Sequence, residues 1–106
     1  MFSMMAKNTE LKNIITLQKL KKYFEVTEKA YSMASESKNR TKLDAERKDM
    51  LDMVKRYISD AHHFESNRDY VNAFAALNYA HGWLDTGARI GIFDVHDSTY
   101  FTVDDA

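Results

Sequence analysis

The chain has 106 residues, of which 44% are hydrophobic and 29% charged, with a formal net charge of -1 and no cysteine. A single domain, 1–106, with one core fits that length; the composition argues against disorder, and the missing thiols exclude disulfides and thiolate metal sites. No run approaches the ~20 apolar residues that span a bilayer, and the apolar opening Met1–Ala6 is shorter than a signal-peptide core and ends at Lys7, so a cytoplasmic protein with no membrane partner is expected.

Proline is absent and glycine occurs only at positions 82, 87 and 91, so little interrupts a helix before the last quarter of the chain. The spacing predicts three helices. In the first, about 8–35, Leu17, Leu20, Phe24, Thr27, Tyr31 and Ala34 alternate steps of three and four, a heptad-like seam. This helix lies in a basic half: residues 1–48 hold eleven Lys and Arg against six Asp and Glu, whereas residues 49–106 hold four against ten. Nucleic-acid binders are usually basic over the whole domain, which argues against that partner and for pairing with the chain's own acidic half or an identical subunit.

Ser35–Arg40 reads as the first turn, and Thr41-Lys42-Leu43-Asp44 matches a capping box opening a second helix, about 41–65. Its stripe is Met50, Val54, Tyr57, Ala61 and Phe64, joined by Met53. Ser66-Asn67-Arg68 breaks the pattern, and Asp69 can cap a third helix, about 69–91. At ~100° per residue, Tyr70, Ala73, Phe74, Leu77, Ala80, Leu84, Ala88 and Gly91 form one sector, and Ala76, Trp83, Gly87 and Ile90 a second apolar strip beside it. The combined arc is wider than packing on two neighbours requires, so the strip is a candidate interface, covered by the tail or by another subunit. Beyond Gly91 the helical period is lost. The tail, 92–106, carries the β-branched and aromatic Tyr100–Val103, suited to an extended path, and a frayed acidic end at Asp104–Ala106. The fold class is therefore all-α: a three-helix antiparallel up-down bundle with a short extended C-terminal tail.

His81, Asp85 and Arg89 are successive i, i+4 neighbours on the third helix, with Asn78 near the same edge. They can form a polar pocket for an anionic or hydrogen-bonding ligand, with His81 as acid or base, or a ladder that satisfies half-buried polar groups and fixes register; we favour the ladder. Each helical glycine costs about 1 kcal/mol relative to alanine. A close neighbouring backbone, or a helix end at Gly91, explains Gly82, Gly87 and Gly91 better than a ligand does. A metal reading would recruit His62, His63, His81 and Asp60, but adjacent histidines point ~100° apart on a helix, and no metal site is assigned. Arg56 with His62 and His63 matches the short Arg-x(4-6)-His motif of small helical ribonucleases. Arg56 and His63 share a face, yet solvated surface residues explain the same letters, as exposure explains His96. Tyr23, Phe24, Tyr31, Tyr57, Phe64, Tyr70 and Phe74 recur at core spacing; Trp83, on the surplus strip, reads as an interface anchor.

Tyr57-Ile58-Ser59-Asp60-Ala61-His62-His63-Phe64, then Asp69–Phe74, Tyr79–Gly91 and Phe93-Asp94-Val95, together resemble the archaeal family known as domain of unknown function 357. The resemblance covers about half the chain and implies a small domain of antiparallel helices with no established activity. On its matching positions stand Asp60, Tyr70, His81, Trp83, Asp85 and Arg89; Thr86 and Ser66-Asn67-Arg68 depart from the family's small residue and glycine turn. Residues 1–45 carry no matching motif. The leading expectation is a non-catalytic interaction or scaffold module that self-associates, a dimer being favoured, with Trp83 and Ile90 facing a second copy or an unidentified protein partner. The alternative is a small-ligand-binding protein or enzyme using Asp60, Asn78, His81, Asp85 and Arg89; RNA binding or ribonuclease chemistry ranks below both. No catalytic residue, metal or cofactor is assigned.

Overall fold

A computed structural model of the chain describes residues 10–103. It contains three helices, α1 (Leu17–Glu36), α2 (Asp44–Ser66) and α3 (Tyr70–Ile90), and no strand among the described residues. Short connections reverse the direction at each turn, giving an up-down-up bundle in which α3 packs on both other helices, most extensively on α2. Of the expected α1 seam, Leu20, Phe24, Thr27 and Ala34 are buried, joined by Ala30, while Tyr31 is partly covered and Leu17 is 40% exposed. On α2 the buried face is Met50, Val54, Ile58 and Ala61, with Tyr57 and Phe64 partly covered beside it.

Two helix starts differ from the sequence reading. The first helix begins at Leu17 rather than near Asn8, which itself lies outside the described residues. Leu11 and Ile14 are 84% and 83% exposed, so no packing rewards a helical turn there. The Thr16 side chain instead accepts a hydrogen bond from the Lys19 N–H and sets the start. The second helix begins at Asp44, and Thr41 does not cap it. Its hydroxyl donates to Asn39 Oδ1 (2.6 Å) and accepts from the Leu43 N–H (3.0 Å), building the turn before the helix. Asn39 then reaches forward to Leu43 O and Asp44 Oδ1.

The turn between α2 and α3 satisfies the carbonyls at the end of α2 by two bonds, Arg68 N–H to Glu65 O and Asp69 N–H to Phe64 O, both 2.9 Å. That motif places Arg68 at φ 61°, the left-handed region where a glycine is usual. Asp69 then caps α3 as expected, accepting from the Asn72 N–H at 3.2 Å.

After Ile90 the chain turns through Gly91, at φ 86°, and comes back over the bundle in bends and a turn around Asp97–Tyr100. Ile92, Phe93, Val95 and Phe101 are buried and complete the core formed by Ala30, Ala34, Val54, Leu84 and Ala88. The tail also pairs with the α1–α2 connection. Arg40 N–H donates to Gly91 O and Asp94 N–H to Lys38 O, each at 2.8 Å, and Arg40 Nε lies 3.4 Å from Asp94 Oδ1. A basic residue of the first half thus meets an acidic one of the second. The apolar opening Met1–Ala6 and the acidic Asp104–Ala106 lie outside the described residues.

Candidate functional site

His81, Asp85 and Arg89 line up along α3 as their spacing requires, and the backbone of the tail runs past all three. His81 Nε2 donates to Tyr100 O at 2.7 Å, and in the neutral ring Nδ1 then accepts from the buried Thr27 hydroxyl at 3.2 Å. Asp85 Oδ1 accepts from the Thr102 N–H at 2.9 Å and stands 3.8 Å from His81 Nε2. Arg89 Nη1 donates to Thr102 O at 3.1 Å. The side chains bond to the tail as well as lying along one helix, and His81 and Asp85 are only 20% and 23% exposed. Of the ladder in the sequence reading, the His81–Asp85 step is present, whereas Asp85 and Arg89 each bond to Thr102 instead of to one another, so the three side chains fasten the last described residues onto α3. Replacement of Asp85 by alanine is expected to raise the exchange rate of the Thr102 amide severalfold while the amides of α3 stay protected. Hydrogen-exchange mass spectrometry of the tail peptide checks it, and unchanged exchange would remove Asp85 from this role.

The remaining candidates are dispersed. Asp60 sits on α2 and lines a separate hollow of about 360 Å³ with Asp49, Asp52, Met53, Arg56 and Tyr57. Asn78, His81 and Asp85 share a smaller hollow of about 240 Å³ with Tyr23, Val26 and Gly82. The five ligand candidates are therefore not gathered in one pocket. Arg56 pairs with Asp52 at 3.0 Å, and His63 Nε2 meets Asn67 Nδ2 at 3.2 Å. His62 binds Glu28 (2.9 Å) and stacks on Phe24, and His96 binds Asp94 (2.8 Å). No three His, Asp or Glu side chains among the described residues are grouped to hold a metal ion.

The surplus apolar strip divides in two. Ala76 is 8% exposed, and Gly87 is buried beneath Phe93. Trp83 is partly covered and Ile90 is 54% exposed. A Cβ at Gly87 would overlap Cδ2 and Cε2 of Phe93, whose own N–H donates to Gly87 O at 3.2 Å, so this glycine exists for the tail. Gly82 differs: nothing lies within 4 Å of a Cβ built there. It is the exposed saddle between the Asn78–His81–Asp85 hollow and an open one of about 410 Å³ lined by Asn78, Tyr79, Gly82, Trp83 and Thr86.

Around Gly82 the outer face of α3 is unusually free of charge. From Tyr70 to Ile90 the helix carries one acidic and one basic residue, Asp85 and Arg89, and both hold the tail. Val71 and Tyr79 are 58% and 50% exposed on that face. Tyr79 stands edge-on to both Trp83 and Tyr57 of α2, with ring centroids at 6.3 and 4.7 Å. Tyr79 is the residue that sequence reasoning missed here: it sits one turn before Trp83, and its exposure follows from Ala76 and Ala80 taking the inward positions.

The molecule is thus a small three-helix domain whose C-terminal segment is clasped to its third helix, leaving an outer face with Asn78, Tyr79 and Thr86 around Gly82 and its exposed charge at Arg89. Its sequence matches, over residues 22–93, the family described as protein of unknown function (DUF357), and the chain belongs to that family. No curated protein and no solved structure matches it. The segment 94–103, which supplies the Tyr100 and Thr102 backbone partners of His81, Asp85 and Arg89, lies beyond the matched stretch.

Proposed function

We propose that the protein is a non-catalytic helical interaction module that self-associates through the outer face of α3. The observation that carries this reading is the exposed, uncharged stretch around Gly82, where Tyr79 and Trp83 flank a glycine with no neighbour to accommodate. A solvated helix normally presents charge to water, as α1 and α2 do with their many Lys, Glu and Asp residues. A mid-helix glycine costs about 1 kcal/mol relative to alanine, and within one copy nothing offsets that cost at position 82. Close approach of another chain is the physical gain. The ligand reading draws less support, because His81, Asp85 and Arg89 already spend hydrogen bonds on the tail. No helix of the described residues is long and apolar enough to cross a membrane.

The reading predicts a dimer at micromolar concentration in native mass spectra and sedimentation. Trp83→Asp and Ile90→Glu each place a carboxylate in or beside the apolar face. Both variants are expected to weaken the dimer by tenfold or more, at ~1.4 kcal/mol per decade, with the helical circular dichroism retained. A wild-type monomer at every concentration overturns the proposal. So does a dimer indifferent to both changes.

A further inference from the structure

The mode of that association follows from how charge is placed on α3, and this inference rests on the self-association reading. We propose that two copies pair about a two-fold axis at Gly82, with their third helices antiparallel and crossing at that residue.

Three observations converge on it. First, a two-fold interface brings residues near its axis close to their own counterparts, so a charged residue there would meet a like charge. Of the positions three and four residues from Gly82, Asn78, Tyr79 and Thr86 are uncharged, and the one charge, Asp85, is set to the α1 flank, where its Oδ1 holds the Thr102 N–H. Second, Arg89 lies seven residues beyond Gly82, close to the same helical line. Parallel pairing would bring the two guanidinium groups together. Antiparallel pairing sets them fourteen residues apart, about 21 Å at ~1.5 Å per residue. Third, the two flanks of the face differ in chemistry, and antiparallel pairing matches like flank to like flank. Tyr79 and Trp83 lie on the α2 side, beside Tyr57. Asn78 and Asp85 share the hollow on the α1 side with Tyr23 and Val26. With the chains reversed about Gly82, the two Trp83 side chains, one residue from the axis, come beside each other between the flanking Tyr79 residues, an aromatic contact. Asn78 comes opposite Asp85, an amide donor against a carboxylate that has a second oxygen besides the Oδ1 engaged with Thr102. Parallel pairing would instead oppose the aromatic flank to the polar one.

Gly82 at the crossing lets the backbones approach, and the two hollows beside it, about 410 and 240 Å³, are space that the flanking side chains of the other copy can enter. A parallel pair, a seam elsewhere on the surface and a foreign protein partner are the alternatives that the test separates.

The chain has no cysteine of its own, so single introduced thiols report neighbours without background. Gly82→Cys adds its Cβ into open space and keeps the fold. Under mild oxidation it is expected to give a disulfide-linked dimer, because Cα atoms at the crossing fall within the ~4.4–6.8 Å that a disulfide spans. Ile90→Cys alone is expected not to link, its two copies lying about 24 Å apart along the paired helices. Mixing Ile90→Cys with Ala75→Cys is expected to give a mixed dimer, since those positions are eight and seven residues from the axis on opposite chains. Self-linking of Ile90→Cys, with or without linking at position 82, in a protein that native mass spectrometry shows to be dimeric, overturns this geometry and leaves self-association standing. A dimer in which neither pair links places the seam elsewhere and overturns it too. A protein that stays monomeric removes both proposals.

Discussion

Gly87→Ala is expected to destabilise the protein by about 2–4 kcal/mol, although intrinsic helix propensity alone would make the same change stabilising by about 1 kcal/mol. The sign turns on Phe93. A methyl group at position 87 would overlap two ring carbons of a side chain that is fully buried, while Met50 Cε, 3.1 Å from the same point, can move aside. Phe93 has nowhere to retreat. Its ring lies between Gly87 and the guanidinium of Arg47, 5.3 Å from the ring centroid, and its N–H is held by Gly87 O. Evicting a buried phenylalanine forfeits up to about 3 kcal/mol of burial, and for a domain of this size each kcal/mol lowers the melting temperature by roughly 4–8 °C. Thermal unfolding of Gly87→Ala, Phe93→Ala and the double variant measures the coupling. With the ring removed, alanine at position 87 should become neutral or mildly stabilising. A single variant that melts at or above the wild-type temperature would show that the ring does not occupy this seat.

Arg47→Ala should cost a similar amount, about 2–4 kcal/mol, for a different reason. The first turn of α2 aims this side chain at the end of α1. Its Nη2 donates to Ala34 O, Ser35 O and Ser37 O at 3.1, 3.3 and 2.6 Å, and Nη1 to Ile92 O at 2.6 Å and Ser37 Oγ at 3.4 Å. Ala34 O and Ser35 O belong to the last turn of α1 and Ser37 O to its C-cap, where a helix leaves acceptors without internal partners and where its dipole favours a cation. One planar fork thereby joins both other helices' C-terminal ends, through the start of the tail, to α2. Truncation leaves several part-buried acceptors to water and removes the cation from the face of Phe93. Arg47→Lys should recover less than half of the loss, since an ammonium cannot hold the fork geometry. Denaturant titration supplies the magnitude, and exchange at the Phe93 and Asp94 amides, bonded to Gly87 O and Lys38 O, reports whether the tail loosens with it. A change below about 0.5 kcal/mol, the usual range for surface substitutions, would mean that water replaces the guanidinium without loss.

Much of the fold was legible because the period of the apolar residues is a local property. Leu20, Phe24, Thr27 and Ala34 announced the α1 face by spacing, and Asp69 announced the start of α3 by its carboxylate. The errors at the first two helix starts have one origin. Sequence alone does not say whether a turn has anything to pack on, as at Leu11 and Ile14, or whether a threonine is better used in a preceding turn, as at Thr41 with Asn39.

The candidate site was legible in part. Spacing placed His81, Asp85 and Arg89 in a row, but their partners are backbone atoms of Tyr100 and Thr102, groups every residue possesses and no composition reveals. Arg47 escaped notice for the same reason, since all but one of its partners are carbonyl oxygens. The glycines were noticed together and proved unlike: Gly87 makes room for Phe93, Gly91 supplies a left-handed turn, and Gly82 faces open space. The departure at Ser66-Asn67-Arg68 also has a physical outcome, because Arg68 takes the left-handed conformation in glycine's stead.

The cage of oxygens around Arg47 also bears on how the chain folds as it is made. Helical bundles fold fast because their contacts are mostly local, yet here Ile92 closes on Arg47, Asp94 on Lys38 and Gly91 on Arg40. While the chain grows from its N-terminus, α1 and α2 can come together as a hairpin, with one oxygen of the cage still to be synthesised and the place of Phe93 still open to water. The contacts that complete this core are supplied by a segment that emerges after all three helices, so a nascent chain halted before Phe93 exposes apolar surface that the folded domain hides.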